Sequence, residues 1–497
     1  MPDAVTLFDV HALRAIEARA AQRLGDPYEL MRRAGQAAWR ETLRLWPRAL
    51  SILVVCGPGN NGGDGYLLAG HARAAGRSVK VLRLPQHAPR GALAERACVE
   101  YQAAGGGISE FGDALPATDL LVDALFGIGL SRPADENAAR LIEAINRQCA
   151  PVLALDAPSG VDARSGARPG AAVCAGHTLE FIAAKAGLRT GAALDCTGSL
   201  AVADLDLAPD QFTAIAGSAE CWTVQQLARS LPRRLRDSHK GAHGRVLCVG
   251  GSPGHGGAIT LAAEAALRSG AGLVEVVTRS AHVAALLARR PEVMVHGIDD
   301  HPTDVLGPLT GGSDVIALGP GLGQERWGRD LWSQALQADK PLVLDADALN
   351  LLAQSLQVLA PDTILTPHPG EAARLLGSST AGVQADRFAA ARALCKRYGC
   401  VVVLKGAGSI VAAPDRMPRL IAAGNPGMAV AGMGDVLTGV IAALRAQGLA
   451  AFDAASVGAL LHAVAGDRAA AEGGMRGLLP SDLMPWLRHC ANPDAPA

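Results

Sequence analysis

Aromatic side chains are scarce, at 3% of 497 residues, which removes the stacking platforms on which proteins hold single-stranded nucleic acid. Excess charge of either sign is missing too. Lys and Arg number 46 against 47 Asp and Glu, a net charge of −1, so bulk electrostatics draw the chain neither to nucleic acid nor to an anionic membrane. No apolar run approaches the roughly 20 residues that cross a bilayer. The N-terminal segment, with Asp3 and Asp9, lacks the basic-then-apolar layout of a secretion signal. The ten cysteines contain no C-x-x-C pair, and Cys395 and Cys400 have no His/Cys cluster beside them for zinc. Reduced thiols in a cytoplasm are expected. Apolar residues, by contrast, are plentiful: 49% hydrophobic against 19% charged excludes disorder, and the 58 Gly and 29 Pro show no triplet period, which excludes collagen.

At roughly 100–200 residues per domain the length predicts two to four domains. The first forty residues read as helix, with Ala12, Ile16, Ala20 and Leu24 near helical spacing. Short apolar runs then alternate with helix-compatible stretches: 51–56, 79–84, 119–123 and 152–156. This is the pattern of a doubly wound α/β sheet whose strands are buried on both faces. The alternation pauses over 195–222 and resumes at 245–249, 272–277, 315–318, 341–345, 363–365 and 400–404, with a long helical tail after Asp435. The reading is two α/β domains, 1–215 and 223–497, joined by a linker at about 210–222.

In the first domain the run Gly57-Pro-Gly-Asn-Asn-Gly-Gly-Asp-Gly65 follows a strand and formally contains G-x-G-x-x-G. A dinucleotide-dependent redox enzyme also needs an acid about 20 residues on, and the next strand ends without one. A structural turn remains open, although Asn60, Asn61 and Asp64 exceed what a turn requires. Asp123 and Asp156 end later strands, where open α/β sheets bind ligands; each alone is equally readable as a helix N-cap. With Asn61 and Ser159 they supply hard oxygen ligands suited to an alkali or alkaline-earth cation.

The runs 59–65, Asp123–Leu130 and Leu155–Val161 together resemble the NAD(P)H-hydrate epimerase family over about the first 210 residues. The resemblance implies a Rossmann-like three-layer domain. It implies substrate binding by Asn60, Asn61, Gly62, Gly63 and Asp64, by the loop Gly127, Ile128, Gly129, Leu130, Ser131, Arg132 and Pro133, and by Asp156. It also implies K+ held by Asn61, Asp123 and Ser159, and acid–base work by Asp156 at C6 of a hydrated nicotinamide ring. One carboxyl that gives and takes a proton suffices for such an inversion.

In the second domain Gly432-Met-Gly-Asp435 opens an apolar helix, whose N-terminal N–H groups can hold a transferring phosphoryl group while Asp435 takes a proton from an attacking hydroxyl. The competing reading is an N-capping Asp. Lys405-Gly-Ala-Gly-Ser409 follows a strand without P-loop spacing. His368 precedes Pro369, which favours a fixed ring orientation, and is open to a purely structural reading. These runs, with 239–241, 250–254, 319–323, 345–350, 366–371 and 424–429, resemble the ribokinase-like superfamily and, within it, the ADP/ATP-dependent NAD(P)H-hydrate dehydratase family, over about 225–490. The resemblance implies a ribokinase-like α/β domain, substrate binding at Ala258, Gly321, His368 and Asp435, and nucleotide binding by Lys405, Gly406, Ala407, Gly408, Ser409 and Gly434. Val430 departs from it, since a hydroxyl residue is usual there.

Together the two resemblances imply a bifunctional repair enzyme. It would interconvert the R and S hydrates NADHX and NADPHX, then dehydrate the S form using ADP as phosphoryl donor, with ATP possible and Mg2+ as cofactor. Its partners would be these small molecules, with no nucleic acid and no membrane, and the chain would form a homo-oligomer, tetramer or larger. A vitamin-precursor kinase of the same superfamily is the competing reading; it gives the N-terminal cation motif no role.

Overall fold

The computed structural model describes residues 4–112, 114–129, 132–231, 233–299, 304–355 and 357–492. The chain folds as two compact units, Thr6–Ala219 and Glu220 onward, with Val5 grouping with the second. Among the described residues no helix is long and apolar enough to cross a membrane. The stretch 210–222 ends in the strand Ala219–Trp222, which pairs in parallel from Glu220 with Arg419–Ile421.

The first unit's sheet is parallel throughout. Its order is Ile108–Glu110, Ser78–Arg83, Ser51–Cys56, Leu120–Ala124, Val152–Leu155, His177–Phe181, Ser199–Ala203. Chain order therefore reverses between Ser51–Cys56 and Leu120–Ala124, the switch point at which doubly wound sheets open a crevice. The continuous apolar runs follow from two-sided burial. Ile52, Val54 and Cys56 pack with residues of the helices Val10–Leu24, Pro27–Leu45, Asn60–Ala74 and Ala92–Ala103, whereas Leu53 and Val55 pack with Leu141, Ile142 and Ile145 of Glu136–Asn146. Three layers result.

The second unit's sheet runs Ala219–Trp222, Arg419–Ile421, Ser409–Ala412, Val401–Leu404, Ile364–Leu365, Leu342–Leu344, Val315–Leu318, Arg245–Val249, Leu273–Thr278, Met294–Gly297. It is parallel apart from the two pairings made by Ser409–Ala412. Its switch point lies between Arg245–Val249 and Val315–Leu318. The helices Met433–Ala446 and Ala451–Gly473 supply most of the helical share of its apolar core.

At the first switch point two loops meet at backbone distance. Gly57 donates its N–H to Ala124 O at 2.9 Å, and a Cβ on Gly57 would lie 1.7 Å from Leu125 O. No side chain fits. Gly57→Ala is expected to destabilise the first unit by about 2–3 kcal/mol, a strained overpacking, read as a lowered urea midpoint.

Candidate active sites

A cavity of about 400 Å³ opens at the first unit's switch point, its walls including Glu17, Asn61, Asp64, Gly127, Asp156 and Lys185. Asp123 is fully buried at the end of its strand. Its Oδ2 accepts the Ser159 N–H at 2.8 Å; its Oδ1 accepts the Ser159 hydroxyl at 2.6 Å and the Leu125 N–H at 3.2 Å. Burial pushes this carboxyl up to about 6, against the pull of those three donors. Asn61 is buried in the first turn of the helix Asn60–Ala74, yet neither its amide oxygen nor its amide nitrogen has a hydrogen-bond partner among the described residues. Buried amides are otherwise nearly always paired.

Asp156 does not cap a helix. It turns the chain after Leu155 with φ of 66°, a left-handed conformation that a non-glycine residue adopts only where its surroundings hold it. Its Oδ1 meets Lys185 Nζ at 2.8 Å and the Phe181 N–H at 3.3 Å. Its Oδ2 faces the cavity wall, 3.2 Å from where a Cβ on Gly127 would stand, with Asn61 Cγ at 3.4 Å from the same point. Burial, and then the charge of Asp156, push the carboxyls of Asp64 and Glu17 upward.

Of the residues implied by resemblance, Asn60, Asn61, Asp64, Gly127, Ile128, Gly129 and Asp156 line the cavity. Gly62 and Gly63 sit behind it, against Gly57 and Met31. Arg132 and Pro133 are exposed and outside its wall; Leu130 and Ser131 lie outside the described residues. Glu17 and Lys185 escaped the sequence reading. Lys185 carried a signal, as one of six lysines and the sole charge in the run 181–188. Glu17 carried none, being one charge among many on a surface helix.

In the second unit Lys405 Nζ lies 2.5 Å from Asp345 Oδ1 and 3.8 Å from Glu371 Oε2. Thr438 donates its hydroxyl to Asp345 Oδ2 at 2.9 Å. Burial opposes the Asp345 charge, and Lys405 with the Thr366 and Thr438 hydroxyls reverses that, holding its carboxyl below the usual range. Gly434 rests on this pair, since a Cβ there would stand 3.0 Å from Lys405 Nζ. Asp435 follows in the first turn of Met433–Ala446, whose cap is Gly432; Asp435 is not the N-cap. Burial and then Asp345 push its carboxyl up to about 7, with Lys405 pulling down and Glu371 and Asp347 adding to the rise. Burial likewise raises Glu371 to about 7.

His368 caps the helix Pro369–Leu376: its Nδ1 accepts the N–H groups of Gly370 and Glu371 at 3.0 and 3.4 Å. Nδ1 is thereby an acceptor and Nε2 carries the ring's proton. The ring is half-exposed, and that N–H lies 3.3 Å from Glu371 Oε1. Ala258 packs beside Gly321, 3.3 Å from where its Cβ would be. Gly406 and Ala407 are exposed. Beneath that loop the fully buried Arg387 donates to Leu404 O at 3.3 Å and Lys405 O at 3.1 Å. Val430 is exposed. Arg387 was not foreseen; nothing distinguished it from the chain's other arginines.

Each unit is thus an α/β domain on a mainly parallel sheet with an acid buried at a strand's carboxyl end, a class that joins a Rossmann-like to a ribokinase-like architecture. Residues 27–187 match the family model described as YjeF-related protein N-terminus, and 246–488 that described as NAD(P)H-hydrate dehydratase. The chain is 45% identical to the bifunctional NAD(P)H-hydrate repair enzyme Nnr of Escherichia coli K12, over 98% of this chain and 94% of that one. It is also 45% identical to the Nnr of Coxiella burnetii, over 98% and 99%. Among solved structures, the ADP/ATP-dependent NAD(P)H-hydrate dehydratase of Bacillus subtilis, co-crystallised with ATP and Mg2+, matches with 30% identity and a TM-score of 0.50, over 55% of this chain and 98% of that one. A ribokinase-like superfamily protein of Enterococcus faecalis V583 matches with 30% identity and a TM-score of 0.51, over 55% and 95%. The chain belongs to the bifunctional NAD(P)H-hydrate repair enzyme family.

A carboxyl raised in the fold binds a proton that the unfolded chain has already lost. Stability therefore falls as pH rises from about 4 to about 7 through Asp435, and the loss is complete above. Asp435→Asn is expected to stabilise the second unit by about 1–3 kcal/mol at pH 8 and by little at pH 4. Urea melts at the two pH values read the difference.

Proposed function

We propose that the first unit interconverts the R and S hydrates of NADH and NADPH and that the second dehydrates the S form at the expense of ADP, releasing AMP and phosphate. The single observation that carries the reading is the 45%-identical match to a bifunctional NAD(P)H-hydrate repair enzyme, which takes in both units along 98% of this chain. A stand-alone kinase would leave the first crevice without a task.

In the first unit the ring nitrogen's lone pair expels the C6 hydroxyl. Asp156 gives the proton that makes it water, and takes one back when water adds to the opposite face. The residues present fit a potassium ion: an unpartnered buried amide oxygen at Asn61, a buried carboxylate at Asp123 and the Ser159 hydroxyl. These three would hold it, and bound there it would supply positive charge beside the hydrated ring. In the second unit Asp435 takes the proton of the C6 hydroxyl as that oxygen attacks the terminal phosphoryl of ADP. Phosphate then leaves C6 as C5 loses a proton, which restores the dihydronicotinamide. Hydroxide leaves poorly, and phosphate well.

Carboxyls outnumber the single ammonium at that centre, which suits a divalent cation arriving with the phosphates. The described residues hold no cluster of three or more His, Cys, Asp or Glu able to ligate an ion, so Mg2+ would be held chiefly by the nucleotide. ATP serves by the same geometry. All ten cysteines are free thiols, in keeping with a reducing cytoplasm, and a homo-oligomer of four chains or more belongs to the same reading.

With racemic NADPHX, ADP and Mg2+, absorbance at 340 nm is expected to recover completely; recovery stopping at the S fraction would remove the epimerase. Asp435→Asn should lower dehydration at least about 10³-fold while R/S exchange continues. The kcat/KM of wild-type dehydration should rise through pH about 7 as Asp435 loses its proton; a flat profile would contradict its role as base. Replacing K+ by tetramethylammonium should slow R/S exchange, and Asp123→Asn should abolish that response. An exchange rate indifferent to K+ removes the cation reading.

A further inference from the structure

Lys185 is 1% exposed and lies in the turn after His177–Phe181. Its ammonium has three protons, and three oxygens surround it: Asp156 Oδ1 at 2.8 Å, Phe181 O at 3.1 Å and Ala183 O at 3.3 Å. Nothing is left over for a substrate. The turn itself is fixed from behind. The Lys185 N–H donates to Glu180 Oε1 at 2.6 Å, and the fully buried Glu180 receives the Arg189 guanidinium at 2.9 and 2.6 Å.

We propose that Lys185 is a positioning residue of the epimerase centre, pinning one oxygen of Asp156 so that the other is presented at Gly127. The inference rests on the reading of Asp156 as the acid–base group. Three observations converge on it. The left-handed backbone at Asp156 needs an over-determined setting, and the Lys185 contact together with the Phe181 N–H provides one. Both of these donors fall on Oδ1, while Oδ2 is the carboxyl oxygen nearest Gly127. Glu17, Asp64 and Arg14 line the same cavity, so an untethered Asp156 would turn away from two neighbouring acids and lose its aim at the ring.

The test uses the full chain, with dehydration of purified S hydrate as an internal control that Lys185 should leave untouched. Lys185→Met is expected to lower kcat for R/S exchange about 100-fold, the scale of a displaced catalytic group, with KM changed less than about threefold. Because that variant leaves a buried carboxylate unpaired, Asp156→Asn and Asp156→Asn/Lys185→Met are measured beside it, each checked for native circular dichroism. A residue that acts only through Asp156 adds no further loss once Asp156 is gone, so the single and double variants should share one residual rate. A double variant far slower than Asp156→Asn overturns the proposal, as does a raised KM at unchanged kcat. A full-rate Lys185→Met beside an inactive Asp156→Asn removes Lys185 alone. A full-rate Asp156→Asn removes the reading of Asp156 and this proposal with it.

Discussion

A carboxylate taken out of water is tolerated only where fixed donors replace its hydration, and the structure meets that condition repeatedly at the carboxyl ends of parallel strands. Asp123 is served by the N–H and hydroxyl of Ser159, Asp156 by Lys185, and Asp345 by Lys405 and Thr438. Remove one such partner and the stranded charge destabilises by about 3–5 kcal/mol. The acids therefore anchor the loops around them. Ser159 reaches Asp123 only if the chain turns at Asp156, and Gly434 sits on the Lys405–Asp345 pair only if the helix after it begins at Gly432.

The strand ends are where this can happen because parallel sheets leave one place uncovered. Helices close both faces of the first unit's sheet, and the reversal of strand order opens a crevice where two loops diverge. Glycine then decides how closely those loops approach. At Gly57 the neighbouring carbonyl stands where a Cβ would go, which brings Leu125–Gly129 against the start of the Asn60–Ala74 helix and sets Gly127 between Asn61 and Asp156. The electrostatic outcome differs between the units. The first lines its cavity with three acids, one buried lysine and an unpaired amide; the second ties its lysine to Asp345 and leaves Asp435 and Glu371 with carboxyls raised to about 7.

Strands buried on both faces could be read from the sequence, because continuous runs such as Ser51–Cys56 and Arg245–Val249 have no other economical explanation. His177–Phe181 could not: it carries His177, Thr178 and Glu180, all buried, whose partners Ser199, Thr197 and Arg189 lie beyond the strand. Ala219–Trp222 was equally hidden, since its partner strand lies 200 residues on. The site shows the same division. Asn61, Lys405 and Asp435 announced themselves from inside compact glycine-rich runs, and Asp156 from its place at a strand's end. Arg387 did not, because it acts on a loop that only the fold brings over it, and Lys185, rare though lysine is in this chain, met its partner Asp156 only in the fold. His368 carried both of its readings into the structure, as a helix cap whose capping fixes which ring nitrogen keeps the proton.

The pairing of two activities in one chain follows from what each step can drive. The R and S hydrates differ at one carbon, so exchange between them has little free energy to release and needs only a carboxyl able to pass a proton both ways. Dehydration is different in kind, since cleaving a phosphoanhydride makes it effectively irreversible. An irreversible step that accepts one epimer drains that epimer alone, unless exchange refills it faster than the other accumulates. The burden on the first site is consequently speed at near-zero driving force. The structure holds Asp156 at one oxygen by Lys185 and the Phe181 N–H, which suits such a demand, whereas the Asp435 carboxyl, raised to about 7, is one that can change its charge near neutral pH.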